Sequence, residues 1–328
     1  MSTCDAKFHL IISSFGIITQ KRCTFPWSAH LEAFALELAQ NPEYASDQSI
    51  IHLVRLQHVL EEMDQVSPDT DSLEMEKTGK AFQHTFRTFK TEIEQFSNQL
   101  PSQPAANNYL LTCQLHTVKL YLCQLSLFEC KSISQIPPNL RAEIVCHGLA
   151  AAKASFDDLI SIPVGSERCF CYGEWLQTGF NIILSCKLAL MALSDEELRQ
   201  SHPHARSLCD ALDMPRVLKT CVDRQLAHRS RGSSQKTGFD YVGWLQWIQE
   251  WFGRHYNRYL TRQAGEETNI APPSTTAVDY PSQPVQLNMG DMGSLGVAEN
   301  MLQWPMFTDM GQPDNPLAGW MDLNLIPM

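Results

Sequence analysis

The sequence predicts an all-α fold: an irregular helical bundle over residues 1–264, followed by a disordered acidic C-terminal tail over residues 265–328. Three observations support this prediction. Nearly every apolar segment repeats with the three- and four-residue spacing of a helix, and no segment alternates as a strand does. Apolar residues make up 44% of the 328 residues, which is enough for a large core. The composition then changes abruptly at Gly265.

The first half of the predicted bundle contains four helical segments separated by acidic or proline-rich breaks. Ser28 stands at the expected N-cap of residues 28–40, and residues 46–65 carry one apolar stripe. Residues 66–77 are acidic and are predicted to form a loop. Phenylalanines spaced by three and four then mark an amphipathic helix. The following segment, residues 107–130, is apolar on nearly all sides, which predicts a buried central helix.

The second half of the bundle contains further helical segments before the closing one. Their predicted ranges are 140–160, 171–193 and 213–230. Asp213 is expected at an N-cap, with Pro215 in the first helical turn. The stretch from Asp195 to Ser207 is polar and is predicted to lie between helices, with His202 and His204 in a solvated loop.

The closing segment, "WLQWIQEWFGRHYNRYL" at residues 244–260, is rich in both aromatic residues and cations. It suggests a nucleic-acid platform, a membrane-lying helix or a core helix. Its polar residues fall on one helical stripe and the rest form a wide apolar face, as in a buried helix. Arg254, His255 and Arg258 lie only in the second half, where the helix dipole favours cations. The pattern therefore predicts a buried closing helix.

Charge, cysteine content and hydropathy exclude several function classes. The net charge of −11 argues against nucleic-acid binding through the overall field. The eleven cysteines include no C-x-x-C pair, and Cys169 and Cys171 are too close for the usual zinc hook. No apolar run was found to reach about eighteen residues, so no membrane span is expected. These observations predict a reduced intracellular protein with no metal site and no cofactor.

A helical enzyme is the alternative that the sequence argues against. No nucleophile elbow, P-loop or zinc-protease motif is present. Asp157 and Asp158 begin an aspartate-rich segment like that of metal-dependent terpene cyclases, but Ser161 replaces its third carboxylate. Asn181 and Ser185 have the spacing of the second metal site, where an alanine replaces the acid. Because magnesium clusters need those carboxylates, the sequence predicts no catalytic residues.

The tail over residues 265–328 has a composition of its own. It contains eight acids and eight prolines but no Lys or Arg, so it holds −8 of the net −11. Such a segment buries too little surface to fold alone, which predicts disorder. The segments "MLQWPMFTDM" and "PLAGWMDLNLIPM" set apolar residues among acids, as transcriptional activation segments do. The alternative is a nonspecific solubilising tail. The residues predicted to contact transcription machinery or a coactivator are Trp304, Phe307, Trp320, Leu323 and Leu325.

Several stretches together resemble a known family. "YASDQSIIHLVRLQHVLEEM" at residues 44–63 is similar to a segment of the regulatory domain of fungal zinc binuclear cluster transcription factors. "LEAFALELAQNPE" resembles the helix before it, "GEWLQTGFNIILSCKLAL" a later helix, and "WLQWIQEWF" the tryptophan-rich last helix. The resemblance covers roughly residues 20–262. Regulators within fungal secondary-metabolite gene clusters are the most similar variety.

The resemblance implies a nuclear transcription regulator, and the acidic tail predicts that it is an activator. The chain departs from the family at one point. The family's six-cysteine DNA-binding module is absent from this sequence, where Cys4 and Cys23 are isolated. We therefore expect contact with DNA only indirectly or through an N-terminal module missing from this chain. The alternative is a helical adaptor or corepressor that binds a DNA-bound partner. A homodimer or heterodimer is compatible with either interpretation.

Overall fold

The computed structural model describes residues 13, 16–18, 27–44, 46–66, 75–100, 109–128, 136–229 and 241–267. Within these residues the chain forms ten α-helices and no β-strand, as the sequence predicts. The helices are α1 Ala29–Gln40, α2 Asp47–Val66, α3 Met75–Gln99, α4 Tyr109–Phe128, α5 Pro138–Ser161, α6 Tyr172–Ser194, α7 Glu196–Ser201, α8 Pro203–Leu212, α9 Met214–Arg229 and α10 Tyr241–Glu267. A short 3-10 turn, Ser166–Cys169, precedes α6.

Two central helices, α4 and α6, organise the bundle. Helix α4 packs against α2, α3, α5 and α6, while α6 also contacts α5, α8, α9 and α10. Every residue of α4 from Cys113 to Leu127 is buried except Lys119, which confirms the prediction from its apolar sequence. Helices α1 and α2 hold a smaller separate cluster that includes Leu31, Ala35 and Val54. One main core therefore runs through most of the described bundle.

Helix α10 closes this core through the face that the sequence identifies. The buried side chains are Val242, Trp244, Leu245, Ile248, Trp251 and Phe252. Tyr256 and Tyr259 are half-buried, whereas Gln246, Glu250 and Asn257 face solvent. The helix continues to Glu267 and so includes the first three residues of the predicted tail. Residues 268–328 lie outside the described residues.

Side-chain caps explain where several helices begin. The Ser28 hydroxyl accepts from the backbone N–H of Leu31 at the start of α1, as predicted. Asp213 accepts from the backbone N–H of Arg216 at 3.3 Å, which confirms its capping of α9. Asp213 also ends α8 in a left-handed conformation with φ 47°. One residue thus joins two helices without a loop, because an aspartate tolerates that conformation better than most residues.

The prediction that Asp195–Ser207 lies between helices was wrong. Asp195 caps α7, and His202, which was expected in a solvated loop, caps α8 with Pro203 in its first turn. His204 belongs to the same helix and is exposed. Helix α8 is held by Ala205, Cys209 and Leu212, which are buried. The buried residues of α8 have the four- and three-residue spacing of a helix, but the prediction overlooked this pattern because only three small or apolar side chains carry it among polar ones.

One helix is long and apolar enough to cross a membrane by composition, although the sequence contains no unbroken apolar run of about eighteen residues. The segment Gly173–Ser194 of α6 is long and apolar enough by composition, but its whole apolar window is buried inside the bundle. The core helix of a globular protein has this same composition. The search for an unbroken apolar run did not detect this helix, because scattered polar residues interrupt it. They do not lower its mean hydropathy below that of a membrane segment.

Candidate functional site

The aromatic residues of α10 do not form a nucleic-acid platform on the bundle surface. Trp244 and Trp251 are 4% and 9% exposed, so their faces are unavailable for stacking on bases. Tyr241 packs between Trp175 and Trp244, with ring centroids 4.6 and 5.1 Å away. This arrangement confirms the core interpretation for most of the helix. Only Trp247, at 36% exposure, presents a large part of an indole ring to solvent.

Trp247, Arg254 and Arg258 form a surface that we call the outer stripe of α10. Their separations of seven and four residues place them on one helical face. Both arginines are exposed, and neither makes a hydrogen bond or ion pair with any described residue. Glu250, the acid on this face, lies one turn from both Trp247 and Arg254, so the positive charge of the stripe is concentrated towards Arg258. The prediction that the helix dipole explains these cations was wrong, because α10 continues to Glu267 and its last turn holds no basic residue.

The C-terminal part of α10 is fixed to the short helices that the sequence analysis missed. Arg199 of α7 and Arg206 of α8 donate to the Tyr259 hydroxyl at 3.1 and 2.9 Å. Their guanidinium groups also lie 5.6 and 5.8 Å from the Tyr259 ring centroid. Arg206 is additionally paired with Asp210 at 3.0 Å. These contacts attach the C-terminal half of α10, which carries Arg254 and Arg258, to α7 and α8.

A buried chain of polar side chains crosses the core from α2 to α6. Gln114 of α4 donates to Gln57 of α2 at 3.0 Å, and Gln177 of α6 donates to Gln114. Gln57 donates to Ser13 at 2.8 Å, and Ser13 donates to Glu61. All five residues are at most 5% exposed. Because a buried amide needs a partner, this chain fixes the relative register of three helices.

The residues that resembled a terpene-cyclase metal site take part in the packing of the bundle. Asp157 pairs with Lys153, and Asp158 lies 3.1 Å from the His116 ring nitrogen. Asn181 is buried, accepting from Thr117 at 3.1 Å and donating to Ser155 at 3.2 Å. Ser185 donates to the Asn181 carbonyl at 2.6 Å. Asp157 is therefore on the exposed surface of its helix, whereas Asp158, Asn181 and Ser185 are engaged in hydrogen bonds with neighbouring residues of the bundle.

A buried ion pair borders the cavity found between α5, α6, α9 and α10. Arg224 donates to Glu167 at 2.5 Å and to the Ile162 carbonyl at 2.9 Å. The other Glu167 oxygen accepts from the Gly165 backbone N–H at 2.8 Å. The cavity beside this pair measures about 20 Å³ and is also lined by Trp175. That volume admits about one water molecule, so it is too small for a cofactor or a metabolite.

Metal-binding side chains do not cluster in the part of the chain that the structure describes. No group of three or more His, Cys, Asp or Glu lies close enough there to hold an ion. The eight described cysteines are free thiols. Burial raises the pKa of Cys113 to about 12 and that of Cys221 to about 12, so both stay protonated. These cysteines behave as small apolar core residues.

The predicted partner contacts, Trp304, Phe307, Trp320, Leu323 and Leu325, lie outside the described residues. The outer stripe and the buried glutamine chain were not singled out as functional features by the sequence. The sequence does indicate that these glutamines are buried, because Gln57, Gln114 and Gln177 each interrupt an apolar stretch. Their mutual contacts depend on how three helices pack, which the sequence pattern alone does not define.

One comparison with known proteins finds a similar protein. Over 272 residues the chain is 36% identical to "Transcription factor himD" from Aspergillus japonicus. The similarity is to a fungal transcription factor. It includes 81% of this chain but only 44% of that relative, so the chain spans less than half of its length. No protein-family model matches the chain, and no solved structure matches it.

Proposed function

We propose that the protein is a transcription regulator whose helical bundle acts as the regulatory scaffold and whose acidic tail recruits transcription machinery. The single observation that carries this proposal is the 36% identity to a fungal transcription factor over 272 residues. A match over 81% of the chain must include most of the bundle, because the tail holds only 64 residues. The cavity beside Arg224 and Glu167 measures about 20 Å³, which is too small for a substrate.

The tail supplies the second part of the proposed mechanism. Its eight acids keep the interspersed aromatic residues in solution until a coactivator groove accepts them as a short amphipathic segment. Binding would then bury Trp304, Phe307 and Trp320, which offer the largest apolar surfaces in this region. The acids would add favourable long-range steering towards a cationic groove.

A reporter assay tests the activation function directly. Residues 265–328 are fused to an unrelated DNA-binding domain, and a matched fusion carries Trp304→Ala, Phe307→Ala and Trp320→Ala with the acids unchanged. We expect at least tenfold more reporter output from the native tail than from the altered one. Background output from the native tail would contradict the activation function. In that case a helical adaptor or corepressor would be the better interpretation.

The proposal also includes a place of action and a class of target. We infer a nuclear location and control of a fungal secondary-metabolite gene cluster, on the basis of the family resemblance. Tagging the full chain in its native host and deleting its gene would test both points. The expected results are nuclear fluorescence and reduced transcripts from one cluster of adjacent genes. Cytoplasmic fluorescence with unchanged transcripts would contradict them.

A further inference from the structure

The outer stripe of α10 is a surface with chemistry suited to a specific ligand. It presents a half-exposed indole at Trp247 and, two to three turns further on, the guanidinium groups of Arg254 and Arg258. Neither arginine forms an ion pair with a described residue, although Glu250 lies one turn before Arg254. A peptide that carries both aromatic residues and carboxylates would meet the indole and the two cations together.

The C-terminal part of this same chain has that composition. Residues 301–328 contain Trp304, Phe307 and Trp320 together with three aspartates and no cation. The aspartates are Asp309, Asp314 and Asp322. Charge and apolar character are therefore complementary between this segment and the outer stripe. Nucleic acid is a poorer match, because two arginines neutralise few phosphates and one exposed indole offers no stacking platform.

The length of chain between the two regions also suits an intramolecular contact. From Trp247 to the end of α10 at Glu267 is 20 residues, or about 30 Å of helix at 1.5 Å per residue. The intervening residues 268–300, if as flexible as their composition predicts, have a root-mean-square span of about 30 Å. A linker whose mean span matches the distance gives the highest effective concentration, on the order of millimolar.

From these observations we infer that residues 301–328 dock reversibly on the outer stripe of α10 in the same chain. The Asp side chains approach Arg254 and Arg258, while an indole of the tail packs near Trp247. Docking covers the residues that the proposed function assigns to coactivator binding. The contact itself does not depend on that function, but its regulatory consequence rests on it: a partner must displace the bundle before the tail can act.

Fluorine NMR of the full chain labelled with 5-fluorotryptophan tests the contact. The resonances of Trp304 and Trp320 are assigned by single Trp→Phe substitutions and compared between the wild type and R254E/R258E. We expect at least one of them to move by more than its line width towards its position in about 1 M NaCl, where the Debye length is about 3 Å. A tail variant, D309N/D314N/D322N, should produce the same movement without altering the bundle.

The matched control is R216E/K219E on α9. Both residues are exposed and the change in net charge is identical, so this variant should leave the wild-type resonances in place. Identical Trp304 and Trp320 resonances in the wild type and R254E/R258E would overturn the proposal. A displacement that grows with protein concentration would also overturn it, since the occupant would then be a second copy of the chain.

A reporter separates this proposal from the proposed function. With the full chain fused to an unrelated DNA-binding domain, R254E/R258E should raise the output severalfold above the wild type, and R216E/K219E should not. If the isolated tail is inactive in the reporter assay while the Trp304 and Trp320 resonances of the full chain still depend on Arg254 and Arg258, the activation function fails and docking stands. If the isolated tail is active while the resonances of the full chain do not change in R254E/R258E, docking fails and the activation function stands.

Discussion

At the scale of single residues, the buried ion pair between Arg224 and Glu167 is expected to contribute strongly to the stability of the bundle. Their side chains are only 8% and 4% exposed, and both are fully engaged with each other and with backbone groups. We expect Arg224→Met to lower the free energy of unfolding by about 3–5 kcal/mol, because it leaves the Glu167 carboxylate buried without its counter-ion. Urea denaturation followed by circular dichroism measures this change.

The control for this prediction is a solvent-exposed ion pair in the same bundle. Lys153 and Asp157 pair one helical turn apart on α5, with side chains 39% and 60% exposed. Lys153→Met should change the free energy of unfolding by no more than about 0.5 kcal/mol. A loss at Arg224 no larger than that at Lys153 would show that the buried pair contributes little.

His147 gives the bundle a stability that depends on pH. Burial lowers the pKa of His147 from 6.5 to about 4, and Lys90 and Lys119 act in the same direction. The unfolded state therefore binds a proton more readily than the native state. The contribution of His147 to the free energy of unfolding is fully present above pH 6.5 and is lost as the pH falls from 6.5 to 4. Below pH 4 this loss levels off. The total is on the order of 3 kcal/mol.

Substitution of His147 tests this pH dependence. His147→Leu removes the titrating group and keeps an apolar contact with Phe86, whose ring lies edge-on to the imidazole. Between pH 7 and 4.5 the variant should lose about 2 kcal/mol less stability than the wild type, measured by urea denaturation at both values. Parallel losses in the two proteins would contradict the assignment of the pH dependence to this residue.

At the scale of elements, the close approach of α5 to α4 and α6 depends on a glycine. A Cβ atom added at Gly148 would lie 2.6 Å from Leu188 Cδ1 and 3.1 Å from Cys123 Sγ. We expect Gly148→Ala to destabilise the bundle by about 1–3 kcal/mol through overpacking. At Gly253 of α10 nothing lies within 4 Å of the added atom, so Gly253→Ala should stabilise by about 0.5–1 kcal/mol. Thermal melts of both variants would check the opposite signs, and a shift in the same direction would count against the packing argument.

The helices also show which features of the fold follow from sequence pattern. Long apolar stripes and caps such as Ser28 predicted α1, α2, α4 and α6 closely, because local periodicity is strong there. Helices α7 and α8 were missed because their few buried side chains are spread over short polar segments. The contacts of Gln114 with two other helices were equally inaccessible, since they depend on interhelical register. Local signals thus define helices, while tertiary packing defines the polar connections between them.

At the scale of the whole molecule, charge divides the chain into two unlike parts. Residues 1–264 carry a net charge of −3 by difference, since the tail holds −8 of the total −11. The candidate contact residues of the tail were predicted from composition alone. The outer stripe of α10 became apparent as a candidate surface only once the exposure and pairing of Arg254 and Arg258 were known. The proposed regulation depends on both parts, because the bundle supplies a rigid surface and the tail supplies the ligand.

Hydrogen exchange of the full chain tests this division. Amides of α4 and α6 lie in the buried centre and should exchange only on global unfolding, because their hydrogen bonds open with the core. Peptides from residues 270–328 should exchange at the earliest time point, since their composition cannot support a core. Reversible docking would slow hydrogen exchange in the peptides that contain Trp304 or Trp320, but only in proportion to the fraction of time that the tail is docked. If these peptides were as well protected as those of α6, the tail would be an integral part of the folded core. The two-part organisation would then be wrong, and so would the proposed displacement of the tail by a coactivator.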